Sequence, residues 1–317
     1  MGVVTQGTYQ AQVSTVRHLT GGYCLVTFDL PAAFGEAVPG QFVMVRAPGR
    51  YPLLARPFSL HDVRRSGRGA RADILFKEVG EGTRALAALS KGGAVTLWGP
   101  LGKGFTLAHP GPHVLVAGGR GIAPLWFLAR KLLEGKKAAE RPQVDLFYGA
   151  CTSEELHYIE EFRDLAVRVH AATDDGSRGY KGLVTTLLRD KLGIKARPPR
   201  PAPRRKAPPA VTQLGMFEGA APEPVEEPPP APPEPRPVPR FYACGPTPMM
   251  AAVHEAAAAL GAGCEVSLES HMACGIGVCL GCAHGTAGGG MLHVCKAGPV
   301  MDSALVFGGA PEGGAGA

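Results

Sequence analysis

Four cysteines crowd into one short stretch near the C-terminus, at Cys274, Cys279, Cys282 and Cys295. The first three stand in a C-x4-C-x2-C pattern and the fourth follows after twelve residues, the thiolate spacing that holds a [2Fe–2S] cluster. The glycines between them fit that chemistry. Gly275, Gly277 and Gly281 let the backbone approach inorganic sulfide and free amide N–H groups to hydrogen-bond the sulfurs. The rival is a structural zinc ion, but zinc sites usually present two C-x2-C knuckles and only one is present here. His271, His284 and His293 flank the loop and are read as surface or supporting groups, because four thiolates already complete the ligand set. Cys24, Cys151 and Cys264 are read as small apolar residues.

Four further constellations could bind phosphate or a redox ring. Arg56, Pro57, Phe58 and Ser59 couple a cation and a hydroxyl to a proline of fixed φ, which sets Arg56 on a pyrophosphate and faces Ser59 to a ring nitrogen. Residues 77–83, KEVGEGT, offer a turn whose N–H groups and Thr83 hydroxyl can meet phosphate at a helix start. Gly118, Gly119 and Gly121 follow a short buried run and open another helix, where a dinucleotide diphosphate can find free N–H groups, although the pattern is not G-x-G-x-x-G. Cys244, Gly245 and Pro246 repeat that placement, with the Cys244 thiol expected near the reacting ring. Ser59 and Cys244 are therefore the expected catalytic residues.

The elements that must position these groups can be read from texture. Up to about residue 105, short alternating or β-branched runs at 9–16, 24–30, 41–46, 72–79 and 94–98 are separated by Gly and Pro turns, which predicts a small antiparallel barrel. From residue 113 strand-like runs (113–117, 144–148, 166–172, 241–243) alternate with helical ones (124–133, 154–162, 183–189, 247–260), the signature of a doubly wound parallel sheet. The expected division is a barrel over 1–108, a nucleotide-binding α/β domain over 109–262 and a cluster module with a flexible tail over 263–317. Residues 197–239 interrupt the second domain and hold 16 of the chain's 30 prolines. That composition predicts a disordered, solvated insertion whose apolar island, residues 213–217, is a chance patch.

The net charge of +6 over 317 residues is concentrated in residues 191–206, which argues against nucleic-acid binding. No run of eighteen apolar residues and no leader pattern is present, so a cytoplasmic protein without a membrane span is expected.

Taken in order, RPFS, GEGT, GGRGIAP, TDDGSRGYKG and CGPTPMM resemble the ferredoxin–NADP reductase superfamily. With ESHMACGIGVCLGC and GPVMD following, the chain is similar to the electron-transfer subunits of type B dihydroorotate dehydrogenases. That resemblance implies a flavin barrel, a nicotinamide-binding α/β domain and a C-terminal cluster module. It further implies FAD contacts from Arg56, Pro57, Phe58, Ser59, Leu75, Phe76, Lys77, Gly82 and Thr83, and cluster ligation by the four cysteines. The expected function is electron transfer between NAD(H) and an FMN-containing catalytic subunit that oxidises dihydroorotate in pyrimidine biosynthesis, through FAD and [2Fe–2S], with two of each subunit in a heterotetramer. Two features depart from the resemblance: Arg120 stands where relatives usually have Thr or Ile, and the proline-rich insertion is unexpected. Alternative readings are the flavin subunit of an NADH-dependent ferredoxin:NADP oxidoreductase or sulfide dehydrogenase, or an interaction protein that keeps the fold without turnover.

Overall fold

A computed structural model of the chain describes residues 7–49, 53–67, 69–194 and 237–308. The expected insertion lies, except for residues 237–239, outside the described residues. Six strands close an antiparallel barrel: β1 (Gly7–His18), β2 (Tyr23–Pro31), β3 (Phe42–Arg46), β4 (Arg56–Ser66), β5 (Gly69–Lys77) and β6 (Ala94–Leu101), in the order β1-β2-β5-β4-β3-β6. Closure leaves no free edge, and alternate residues such as Val26, Phe28, Leu60, Ile74 and Leu97 fill the interior. Helix α1 (Glu81–Ala87) links β5 to β6.

The second half builds a seven-stranded sheet. In chain order its elements are β7 (His113–Gly118), α2 (Ile122–Leu133), β8 (Val144–Ala150), α3 (Ile159–Asp164), β9 (Arg168–Thr173), β10 (Tyr180–Lys181), α4 (Val184–Leu192), β11 (Arg240–Cys244), α5 (Thr247–Ala259) and β12 (Cys264–Ser267). Strand β7 shows why near-continuous apolar runs become central strands. Val114 and Val116 face one core with Leu188, Phe241 and Val253, while Leu115 and Ala117 face the other with Leu125, Leu146 and Phe162.

Beyond β12 the chain forms a small hairpin, β13 (Ala283–Gly285) with β14 (Met291–His293), then α6 (Val294–Ala297), β15 (Val300–Asp302) and α7 (Ser303–Phe307). Strand β15 returns to pair antiparallel with β12, giving the order β10-β9-β8-β7-β11-β12-β15. The boundary expected at residue 263 thus falls inside one sheet. Cys282, Val294, Cys295 and Met301 also share a core with Phe42, Met44 and Leu101 of the barrel.

Candidate functional site

A cavity of about 550 Å³ opens between the barrel, the turn after β7 and the segment that leads to the cysteines. Every barrel residue expected to touch FAD lines it: Arg56, Pro57, Phe58 and Ser59 from β4, Leu75, Phe76 and Lys77 from β5, and Gly82 and Thr83 at the start of α1. The antiparallel β4–β5 pairing, with Leu60 opposite Ile74, brings these strands side by side. The Arg56 guanidinium folds back on the Leu54 carbonyl at 3.0 Å. The Thr83 hydroxyl is fully engaged: it accepts from the amides of Val79 (2.9 Å) and Gly80 (3.1 Å) and donates to the Gly80 carbonyl (2.9 Å). This side chain caps its own turn, leaving backbone N–H groups to meet a phosphate.

Sequence reasoning missed the opposite wall, formed by Leu268, Glu269, Ser270, His271 and Met272, to which Arg120 adds its side chain. The ESHM motif that carries four of these residues was visible, but its position next to Cys274 assigned it to the cluster alone.

At the carboxyl edge of the sheet the two glycine turns pack on each other. A Cβ on Gly121 would overlap the Cys244 carbonyl, and one on Gly118 would lie 2.7 Å from Pro246 Cδ. The Gly118–Gly121 turn and the Gly245–Pro246 turn are thus brought together. Cys244 is 3% exposed and does not line the cavity; burial drives its thiol far above the ordinary range. Facing this turn, Lys77 Nζ pairs with Glu155 Oε1 at 2.8 Å and sits 5.6 Å from the centre of the Tyr23 ring. The 149–155 loop therefore does not offer Glu155 as a free carboxylate. Arg120 Nη2 contacts Glu269 Oε2 at 3.3 Å.

The four cysteines lie in one loop system. The Cys282 and Cys295 sulfurs are 3.2 Å apart and buried, while the amides of Ile276 and Cys279 point at Cys274 Sγ at 3.5 and 3.4 Å. Burial acts to raise the Cys274 thiol, but these amides and the Cys279 side chain outweigh it and bring it down to about 6. Burial and the neighbouring Cys282 push Cys295 up to about 12; bound iron would invert that balance. Among the described residues no three His, Cys, Asp or Glu side chains gather around a single ion. The Cys282 and Cys295 sulfurs pair directly and the Cys279 amide donates to Cys274 Sγ, so one loop system gathers the four thiols that a [2Fe–2S] cluster would require. Gly275 (φ +72) and Gly277 (φ +85) make the required left-handed turns, and a Cβ on Gly275 would strike Met44 of the barrel. Trp98 of β6 donates its indole N–H to the Cys274 carbonyl at 3.0 Å.

Residues 115–197 match the family described as oxidoreductase NAD-binding domain, and residues 269–307 match the iron–sulfur cluster binding domain of dihydroorotate dehydrogenase B. A Desulforamulus reducens protein named dihydroorotate dehydrogenase B (NAD(+)), electron transfer subunit, is 34% identical over 300 residues, covering 93% of this chain and 96% of its own. The chain belongs to that family. A Caldanaerobacter subterraneus member of the same name is 31% identical, with 92% and 95% covered. Two solved structures share the fold. One is an NADH-dependent reduced ferredoxin-NADP oxidoreductase, with TM-score 0.70, 24% identity and 95% and 90% covered. The other is a ferredoxin NADP+ reductase from Neisseria gonorrhoeae with bound FAD and NADP, with TM-score 0.55, 17% identity and 80% and 92% covered.

Proposed function

We propose that this chain carries electrons between NAD(H) and an FMN-containing dihydroorotate dehydrogenase catalytic subunit in the cytoplasm, through FAD in the barrel cavity and a [2Fe–2S] cluster on Cys274, Cys279, Cys282 and Cys295. The observation that supports it best is the shared wall. Residues 268–272 line the flavin-type cavity and, two residues later, Cys274 begins the thiol loop. Flavin supplies the exchange between two-electron and one-electron chemistry, since nicotinamide gives up a hydride and a [2Fe–2S] cluster takes one electron.

The chain's own residues hold and orient. In this reading Ser59 presents a hydroxyl to the ring edge, Lys77 keeps a cation beside the cavity, and the paired turns at Gly118 to Gly121 and Gly245 to Pro246 receive the dinucleotide. The buried Cys244 thiol stays protonated behind those turns and acts by packing. A partner surface is suggested by Ile276, Val278, Leu280 and Met291, large apolar side chains exposed around the thiol loop. We propose that the catalytic subunit covers them, in an assembly of two chains of each kind. The division into barrel, nucleotide and cluster regions is retained as a functional one, with the cluster region drawing β12 and β15 from the common sheet.

The test is anaerobic purification with and without the partner. The proposal requires about two irons and two acid-labile sulfides per chain, bound FAD, and visible absorbance that bleaches with NADH. Stoichiometric zinc, or a flavin that NADH does not reduce, refutes it.

A further inference from the structure

Arg120 is the only residue of the turn at 118–121 that has a side chain, since its neighbours there are Gly118, Gly119 and Gly121. The turn leads from β7 into α2 and is pressed against Cys244 and Pro246, so its backbone is fixed. Its guanidinium projects into the cavity mouth and meets Glu269, which arrives from the opposite wall. That contact is a single one, Nη2 to Oε2 at 3.3 Å, with the two side chains 46% and 55% exposed. Four of the five N–H groups of Arg120 remain without a hydrogen-bond partner among the described residues.

We infer that Arg120 and Glu269 form an exchangeable latch across the nicotinamide entrance, in which the dinucleotide's diphosphate takes the guanidinium from the Glu269 carboxylate. This rests on the reading that NAD(H) binds at the 118–121 turn. Magnitudes favour the exchange. An exposed, single-contact ion pair changes an equilibrium constant by up to about fivefold. A guanidinium on a doubly charged diphosphate, with room for two parallel hydrogen bonds, is worth about tenfold or more. Arg120 is then an affinity-determining residue for the dinucleotide, and Glu269 is its internal competitor. The direction of the second effect separates a latch from a simple binding carboxylate: removing Glu269 must tighten binding.

The test is titration calorimetry on the full-length, FAD-loaded protein with three probes: NAD+, ADP and nicotinamide riboside, which has no phosphate. Arg120→Gln is expected to raise the Kd for NAD+ and ADP about tenfold, or about 1.4 kcal/mol, and Arg120→Lys to recover part of that loss. Glu269→Gln is expected to lower both values about threefold, within the range of exposed ion pairs. The Arg120→Gln/Glu269→Gln double variant should match Arg120→Gln, because the competitor no longer has a target. Nicotinamide riboside should be indifferent to every change. The latch is refuted if Glu269→Gln weakens NAD+ or leaves it unchanged, if Arg120→Gln binds NAD+ like the wild type, or if riboside binding shifts in parallel. Wild-type protein that binds neither NAD+ nor ADP refutes the latch and the dinucleotide site together.

Discussion

Replacing Gly121 by alanine isolates the contact between the two sheet-edge turns. Gly121 has φ −60° and ψ −10°, a conformation open to any residue, so the substitution introduces no backbone strain of its own. What it introduces is a methyl group inside the Cys244 carbonyl and 2.9 Å from Gly245 N. The obstacle is backbone, so no rotamer change relieves it, and one of the two turns must move by roughly an ångström or more. Overpacking of this kind costs about 1–3 kcal/mol of stability. A displacement of about 1 Å at a substrate-positioning turn lowers rate by about 100-fold, or 2.7 kcal/mol. The expected outcome in stopped-flow is a fall of that order in kcat/KM for flavin reduction by NADH. Iron and FAD content should stay at wild-type levels, since the atoms nearest the new methyl belong to Cys244 and Gly245 and not to the four cluster cysteines or the barrel. Gly285→Ala is the control, because a Cβ there meets nothing within 4 Å. If Gly121→Ala reduces its flavin within threefold of the wild-type rate with normal thermal stability, the close approach of the turns does not position the dinucleotide.

Three further outcomes are expected. Cys279→Ser should lose most of its iron while keeping FAD, measured by metal analysis and flavin absorbance; joint loss would show that the two sites fold as one. NADH should be preferred over NADPH by about tenfold in kcat/KM, about 1.4 kcal/mol, because the 149–155 loop carries Glu154 and no Lys or Arg, while Glu155 is already neutralised by Lys77; equal values would refute this. Stability should fall on acidification through His61. Burial holds its imidazole down to about 3 against 6.5 when unfolded, opposed in part by its hydrogen bond to the Ala123 carbonyl. The unfolded chain therefore binds the extra proton first, so the His61 contribution is complete above pH 6.5 and is lost progressively below it. Between about pH 7.5 and 5.5 that loss is about 1.4 kcal/mol. His61→Gln should flatten the melting-temperature profile over that interval, and an unchanged slope would remove His61 as its source.

Both halves of the fold were legible where apolar residues set the period. The runs at β7, β8 and β11 are buried on both faces. Strand β4 is absent from the strand-like runs expected in the barrel half, because His61, Asp62, Arg64 and Arg65 break any apolar period there. Of these only His61 and Asp62 are buried, and Asp62 depends on a cation from a distant segment, Arg130 of α2. The single helix expected over 154–162 is interrupted at Tyr158, which takes φ +64° and packs its ring on His61 and Trp126. Local propensity carries no trace of that contact. Strands β12 and β15 are three or four residues long, and β12 buries Glu265, which Thr106 and Arg240 satisfy. At the site, contiguous motifs were readable, but the wall at 268–272 and its meeting with Arg120 depend on how three segments fold together.

The return of β15 to the sheet bears on how such a chain can be dissected. Cutting before β12 to remove the thiol loop would strip two strands from β11 and leave Phe241, Tyr242, Ala243 and Cys244 along an open edge. An uncovered apolar edge strand is a template for self-association. The iron-binding region is therefore poorly suited to excision as a cassette, and a shortened reductase made that way should precipitate where a point variant of a thiol stays in solution.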